Sequence, residues 1–190
     1  MISFKKKIDK LKLQHNREIT ALITGASSGM GLLYATRLAE AGCNLLIISN
    51  QEKELKEVAE NLRKDYDVNV IARYQDLSQD DAAQQLFGFC KKENIVVDIL
   101  INNAGMFFFH ELDEEYDSKM ELMLKLHIMT PVRMCRLFGD DMKKRGFGFI
   151  ILVSSMAARL PFPGITTYSA TKAFLKSFGK SFYYEMRDYG

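Results

Sequence analysis

Tyr168 and Lys172 stand four residues apart in a stretch of helical period, and Ser155 precedes the tyrosine by thirteen. On a helix, residues four apart share a face, one turn above the other. An ammonium beside a phenol favours the phenolate, which makes the phenol a usable proton donor and acceptor near neutral pH. A serine hydroxyl can hold a carbonyl oxygen in line with that proton. Together the three side chains describe proton transfer to a carbonyl oxygen while hydride reaches its carbon. Tyr-x3-Lys occurs by chance in many helices, so the pair takes its meaning from what accompanies it.

Hydride needs a carrier, and Thr24–Gly31 suits one. An apolar run ends directly in Gly25-x3-Gly29-x-Gly31, and a helical pattern begins there. Gly25 permits the sharp turn, Gly29 lets backbone approach a phosphate, and Gly31 lets the helix pack close to the strand. Unpaired N–H groups and the helix dipole then favour an anion. Ser27 and Ser28 add hydroxyl donors, and Met30 lies between the last two glycines of the same cradle. The spacing differs from the dinucleotide fingerprint Gly-x-Gly-x2-Gly, so its position between strand and helix carries the reading. Asn102-Asn103-Ala104-Gly105 closes a later apolar run. Ala104 and Gly105 leave room for a ribose, and the Asn pair can bond open backbone, although the same residues suit a plain turn.

The elements that would position these residues alternate. Strands are expected at 21–23, 45–48, 68–72, 97–101 and 150–153, as short apolar runs. Helices are expected at 31–41, 52–64, 80–93, 119–144 and 167–187, as segments of helical period. Five strand–helix alternations indicate an α/β protein, with a doubly wound parallel sheet covered on both faces. In such a sheet ligands bind beyond the carboxyl ends of strands one and four, where the glycine turn and the Asn-Asn-Ala-Gly run fall.

The bulk properties fit one soluble globular domain. The chain has 190 residues, 47% hydrophobic and 26% charged, which excludes disordered and fibrous classes and is short for a β/α barrel. The net charge of +2 gives no general attraction to nucleic acid. Residues 1–20 carry +4 and the remaining residues −2, and residues 1–18 read as a basic, solvated, frayed extension before a domain at 19–190. Cys43, Cys90 and Cys135 have neither disulfide nor zinc spacing, so a reducing, cytoplasmic setting is expected. No apolar stretch is long enough for a transmembrane segment, and none reads as a secretory signal.

As a set, Gly25-x3-Gly29-x-Gly31, Asn102-Asn103-Ala104-Gly105, Ser155 and Tyr168-x3-Lys172 closely resemble the short-chain dehydrogenase/reductases, over roughly residues 19–190. The resemblance implies a Rossmann-like sheet of order 3-2-1-4-5, with a nicotinamide cofactor on the glycine turn. It implies Tyr168 as acid/base, Lys172 as the residue that assists its ionisation and holds the nicotinamide ribose, and Ser155 as the group that polarises the substrate carbonyl. Asp76-Leu77 resembles the family's adenine-contacting pair, and Asn103, Ala104 and Gly105 would line the cofactor. The stretch from Ser155 to Phe174 is most similar to the branch that reduces ketosteroids and 3-ketoacyl thioesters. The helices at 119–144 and 167–187 would form the faces of a homo-oligomer.

Two features depart from the family. His127 stands where the family usually has an asparagine that completes a water relay to the lysine; it would either hold that water or be a partly buried histidine without a catalytic part. The family's sixth and seventh strands and substrate-covering segment find no counterpart, so a fragment of a longer enzyme is expected, with strand five as an open sheet edge. The end of strand two reads Ile48-Ser49-Asn50-Gln51, with no carboxylate to repel a 2′-phosphate. Ser49 and Asn50 can donate to one, so NADP(H) is expected rather than NAD. Met106, Phe107, Phe108, Phe109, Met156 and Phe162 suggest an apolar wall for a hydrophobic small-molecule carbonyl or alcohol, although they suit a core or an interface as well. A catalytically silent nucleotide-binding or interaction protein remains the alternative.

Overall fold

The computed structural model describes residues 4–113 and 116–190. Among the described residues there are five strands: β1 (Thr20–Thr24), β2 (Asn44–Ser49), β3 (Val70–Tyr74), β4 (Ile99–Asn102) and β5 (Phe149–Leu152). All pair in parallel in the order β3-β2-β1-β4-β5. The helices are α1 (Phe4–His15), α2 (Gly29–Glu40), α3 (Glu52–Asp65), α4 (Ala82–Lys92), α5 (Asp117–Leu124), α6 (Thr130–Arg145) and α7 (Thr166–Met186).

The inner strands read as continuous apolar runs because both their faces are covered. Ala21, Ile23, Leu45 and Ile47 turn to one face and pack with Ala35 and Leu38 of α2 and Leu55 and Leu62 of α3. Leu22, Leu46, Ile48 and Leu100 turn to the other and pack with Leu86 of α4 and Met134 and Phe138 of α6. Ile23 pairs with Ile47 on one side and Ile101 on the other, so a slip of one residue would exchange the two cores. The order reverses beside β1, which places the ends of β1 and β4 together at the switch point. β5 is the outer strand, with Phe149 and Ile151 exposed.

Two expectations need correction. The basic N-terminal segment is not a frayed arm from residue 4 onward: it forms α1, and its first three residues lie outside the described ones. Ile8 is 2% exposed in the first core, Leu11 packs beside it, and the His15 ring lies 4.0 Å from that of Phe147. An apolar pair one turn apart is easily overlooked among five lysines, yet it buries a full Ile side chain. Arg17 fastens the end of this segment. Its guanidinium donates to both oxygens of Asp98, at 2.6 and 2.5 Å, and Arg145 donates to the same carboxylate at 3.1 Å. Asp98 is 0% exposed, so its charge is buried, but it accepts four hydrogen bonds from three residues, Thr20 N–H at 3.1 Å being the third donor. Ile8→Ala is expected to lower stability by about 2–4 kcal/mol, measured by urea unfolding, with cleavage in α1 as its first proteolytic sign.

The second correction concerns the long helix expected at 119–144. It is interrupted at Lys125–Met129 by a π-helical turn between α5 and α6. Such a turn inserts one residue and re-aims the side chains it carries. Here it aims His127 into the protein.

Candidate active site

Thr24 ends β1, and Gly25 turns the chain at φ 67° with Gly29 at φ 55°. A Cβ on Gly25 would meet Ala104 Cα at 2.9 Å, and one on Gly31 would stand 2.0 Å from the Gly25 carbonyl oxygen. Gly29 faces open space, with nothing within 4 Å. Ser28, the residue before α2, is extended and places no side-chain cap on the helix. The first-turn N–H groups therefore point at a cradle whose mouth lacks a Cβ, the donor set an anionic pyrophosphate requires.

Thr24 and Asn103 join the two strands that flank this cradle. Thr24 Oγ1 donates to Ile101 O at 3.2 Å and accepts from Asn103 N–H and Ala104 N–H, both at 2.9 Å. Asn103 Nδ2 donates to Thr24 O at 2.9 Å and Gly25 O at 3.2 Å. Asn102 points away, toward Cys135 Sγ at 3.8 Å. Asn103 thus stitches backbone and, with Ala104 and Gly105, lines a cleft of about 500 Å³.

The same cleft is lined by Gly25, Ser27, Ser28 and Met30, by Ser49 and Asn50 at the end of β2, and by Asp76 and Leu77 beyond β3. Gly31 lies behind it. Ser27 Oγ and Ser49 Oγ are 2.9 Å apart, and Gln51 N–H donates to Ser49 Oγ at 3.1 Å. Gln51, which the motif reading did not single out, therefore belongs to the cleft. Burial alone would raise the Asp76 carboxyl, but the hydroxyl and amide of Ser78 and the Gln79 side chain bond it and hold it below the ordinary value.

At the same carboxyl end of the sheet, beyond β5, Ser155 opens a short 3₁₀ turn (Met156–Ala158) that packs against α7, and its oxygen accepts from Ala157 N–H at 3.2 Å. Tyr168 lies half-buried in the first turn of α7, with Phe107 edge-on at 5.0 Å. Lys172 is 6% exposed, and its Nζ donates to Val153 O at 3.0 Å, 5.7 Å from the Tyr168 ring centre. Burial lowers the Lys172 ammonium below the ordinary lysine value. Ser154 Oγ donates to Lys172 O at 2.8 Å and ties the end of β5 to α7. Phe107, Phe109, Met156 and Phe162 are exposed, Phe162 beside Thr166, Ser169 and Ala173 of α7, whereas Phe108 is half-buried with Lys119 5.7 Å from its ring centre. His110 N–H donates to Gly164 O at 2.9 Å, which pins the loop after β4 to the one before α7.

His127 is 1% exposed. Its Nε2 accepts from Met106 N–H at 2.9 Å, and its Nδ1 meets Thr171 Oγ1 at 3.0 Å. Both ring nitrogens are engaged by the protein, which speaks for the buried histidine over the holder of a relay water, the two alternatives that the sequence left open. Burial first, and the Lys172 charge second, push its pKa down to about 3. From pH 7 to 5 the unfolded chain takes up a proton at His127 that the folded chain refuses, so acid removes stability. The contribution is about 2 kcal/mol over that interval. His127→Gln should reduce the pH 7-to-5 loss by about that amount, measured by urea unfolding at both pH values.

The family model for short chain dehydrogenase matches residues 19–190. The chain belongs to that family. It is 30% identical over 175 residues to the very-long-chain 3-oxoacyl-CoA reductase of Rattus norvegicus, covering 90% of this chain and 55% of that protein. It is 32% identical over 174 residues to the 17-beta-hydroxysteroid dehydrogenase type 3 of Mus musculus, with coverages of 90% and 56%. The chain thus spans about half the length of the curated relatives it matches. Those names are of the branch to which the Ser155–Phe174 stretch is similar. Among solved structures, the short-chain dehydrogenase of Sphingobium yanoikuyae in complex with NADPH superposes with a TM-score of 0.85 at 29% identity, over 90% of this chain and 67% of that one. The L-sorbose reductase of Gluconobacter frateurii, complexed with NADPH and L-sorbose, gives 0.85 at 31% identity, over 90% and 65%. For this family member the sheet order, with the glycine turn at its switch point, is the Rossmann-like arrangement that the motifs implied.

Proposed function

We propose that the protein transfers hydride between NADP(H) and a hydrophobic carbonyl or alcohol, with Tyr168 as the acid/base. The carrying observation is the adjacency of the two halves. The Gly105–Met106 end of the cleft is one hydrogen bond from His127, whose ring lies 5.8 Å from that of Tyr168. The cradle of Gly25, Ser27, Ser28 and Gly29 would hold the pyrophosphate, Asp76 and Leu77 the adenine side, and Ala104 and Gly105 the ribose toward the reactive end. When bound, the cofactor supplies the hydride. Tyr168 gives its hydroxyl proton to the carbonyl oxygen in reduction and recovers it in oxidation. Lys172, fixed by Val153 O, places a positive charge by that ring, and Ser155 holds the oxygen.

The absence of a carboxylate at Ser49, Asn50 and Gln51 supports NADP(H), as do the NADPH complexes of the two structural relatives above. The exposed Phe107, Phe109, Met156 and Phe162 support an apolar substrate, a 3-oxoacyl thioester or a ketosteroid by the names of the sequence relatives. A silent nucleotide-binding protein is the competing reading, favoured by the engaged nitrogens of His127. The deciding experiment is a fluorescence titration with NADPH and NADH, followed by turnover on long-chain 3-oxoacyl-CoA and ketosteroid substrates. Tighter NADPH binding with turnover is expected; NADPH binding without any turnover supports the silent reading instead.

A further inference from the structure

The π-helical turn gives His127 two fixed neighbours on separate elements, and the hydrogens between them run in one direction. Met106 N–H donates to Nε2, so that nitrogen carries no hydrogen. The neutral ring then bears its hydrogen on Nδ1 and donates it to Thr171 Oγ1. Thr171 Oγ1 in turn donates to the Tyr168 carbonyl at 2.8 Å. The path from the β4 loop to the first turn of α7 is therefore Met106 N–H, imidazole, threonine hydroxyl, Tyr168 carbonyl, with every donor matched to one acceptor. The ring also fills the space beside the cleft floor, since a Cβ on Gly105 would stand 2.9 Å from His127 Nε2.

We propose that His127 is a positioning residue. As a neutral imidazole with its hydrogen on Nδ1, it sets the distance between the Gly105–Met106 floor of the cofactor cleft and the phenol of Tyr168, with Thr171 as its partner. The proposal rests on the reading of Tyr168 as acid/base. His127 itself touches neither the reacting carbonyl nor the hydroxyl that protonates it. It acts on the separation of the two reacting groups, to which transfer rates are steeply sensitive.

The two halves of the link are separable by substitution. His127→Gln can still accept from Met106 N–H, but its flexible amide no longer holds a fixed donor at the Nδ1 position that faces Thr171. Thr171→Val removes the hydroxyl at nearly constant shape, and Thr171→Ser restores it. With NADPH and the best ketone substrate, His127→Gln and Thr171→Val should lower kcat by about 10- to 100-fold. Substrate KM and NADPH affinity should stay within about threefold, and Thr171→Ser should recover most of kcat, a split that a general loss of stability does not give. Folded Thr171→Val and His127→Gln variants with unchanged kcat would overturn the proposal, as would equal losses in kcat and in NADPH affinity.

A measurement that needs neither turnover nor a variant stands beside these. In the protein with ¹⁵N-labelled histidine, the His127 ring should show the neutral Nδ1–H tautomer from pH 5 to 8. A charged ring at pH 6, or the Nε2–H tautomer, overturns the proposal even if every variant fails to fold. Absence of turnover in the unsubstituted protein overturns the acid/base reading on which the proposal rests. Turnover there with unaffected variants overturns the positioning role alone.

Discussion

Tyr168→Phe is expected to lower reductase turnover by about 10²- to 10⁴-fold while NADPH affinity stays within about threefold. The substitution removes one oxygen and keeps the ring, so the edge-on contact with Phe107 at 5.0 Å and the His127 contact at 5.8 Å survive. The neighbouring link from Thr171 uses the Tyr168 carbonyl, which every side chain retains. Stability should therefore change by well under 1 kcal/mol, and the loss falls on the chemical step. Lys172→Met is the informative companion. It removes the charge beside the phenol and also the bond to Val153 O, so it should reduce both turnover and stability. A Tyr168→Phe variant that kept full turnover would remove the phenol from the mechanism.

Gly31→Ala carries the second large effect, on cofactor binding. Its Cβ would stand 2.0 Å from Gly25 O and 2.7 Å from Asn103 Nδ2, and the first of these is backbone held between β1 and β4. The neighbour cannot swing aside as a flexible side chain would, so the helix or the glycine turn must move. A shift of that kind costs about 1–3 kcal/mol of stability. It also displaces the N–H groups that would meet the pyrophosphate, and NADPH affinity should fall by about 100-fold or more. Gly29→Ala provides the contrast. Nothing lies within 4 Å of its Cβ, but at φ 55° an alanine is strained and projects into the mouth of the cradle. It should weaken NADPH binding with a smaller effect on folding. Isothermal titration with NADPH, read beside thermal melts, separates the two.

The parts of this protein written locally in the chain were legible before the structure. Leu22-Ile23 and Leu45–Ile48 announce strands because both sheet faces are covered, and the glycine turn announces a close approach because only a residue without Cβ fits beside Gly25 O. Tyr168 and Lys172 fall on one helix face by spacing alone. What stayed hidden depends on partners distant in sequence. Asp98 is bonded by Arg17 and Arg145, 81 and 47 residues away, and no local pattern marks such a triad. Thr24 reads as an ordinary β-branched strand residue, yet its hydroxyl holds Asn103 and Ala104. Thr171 is hidden for the same reason. The π-helical turn has no composition signal, and without it the orientation of His127, relay or anchor, was undecidable from Lys125–Thr130. For α1, Ile8 was outvoted by its lysines, whose exposed heads say nothing about the one side chain that is buried.

In the proposed reaction the chain directs hydride between a nicotinamide and a carbonyl carbon. The most direct measurement uses NADPH carrying two deuterium atoms at the transferring carbon, a long-chain 3-oxoacyl-CoA or a ketosteroid, and mass spectrometry of the alcohol formed. Hydride transfer gives a product one mass unit heavier than that formed with ordinary NADPH, with the deuterium on the carbinol carbon, and almost none from Tyr168→Phe. Product without deuterium, or saturating NADPH binding with no alcohol from any carbonyl offered, would contradict it.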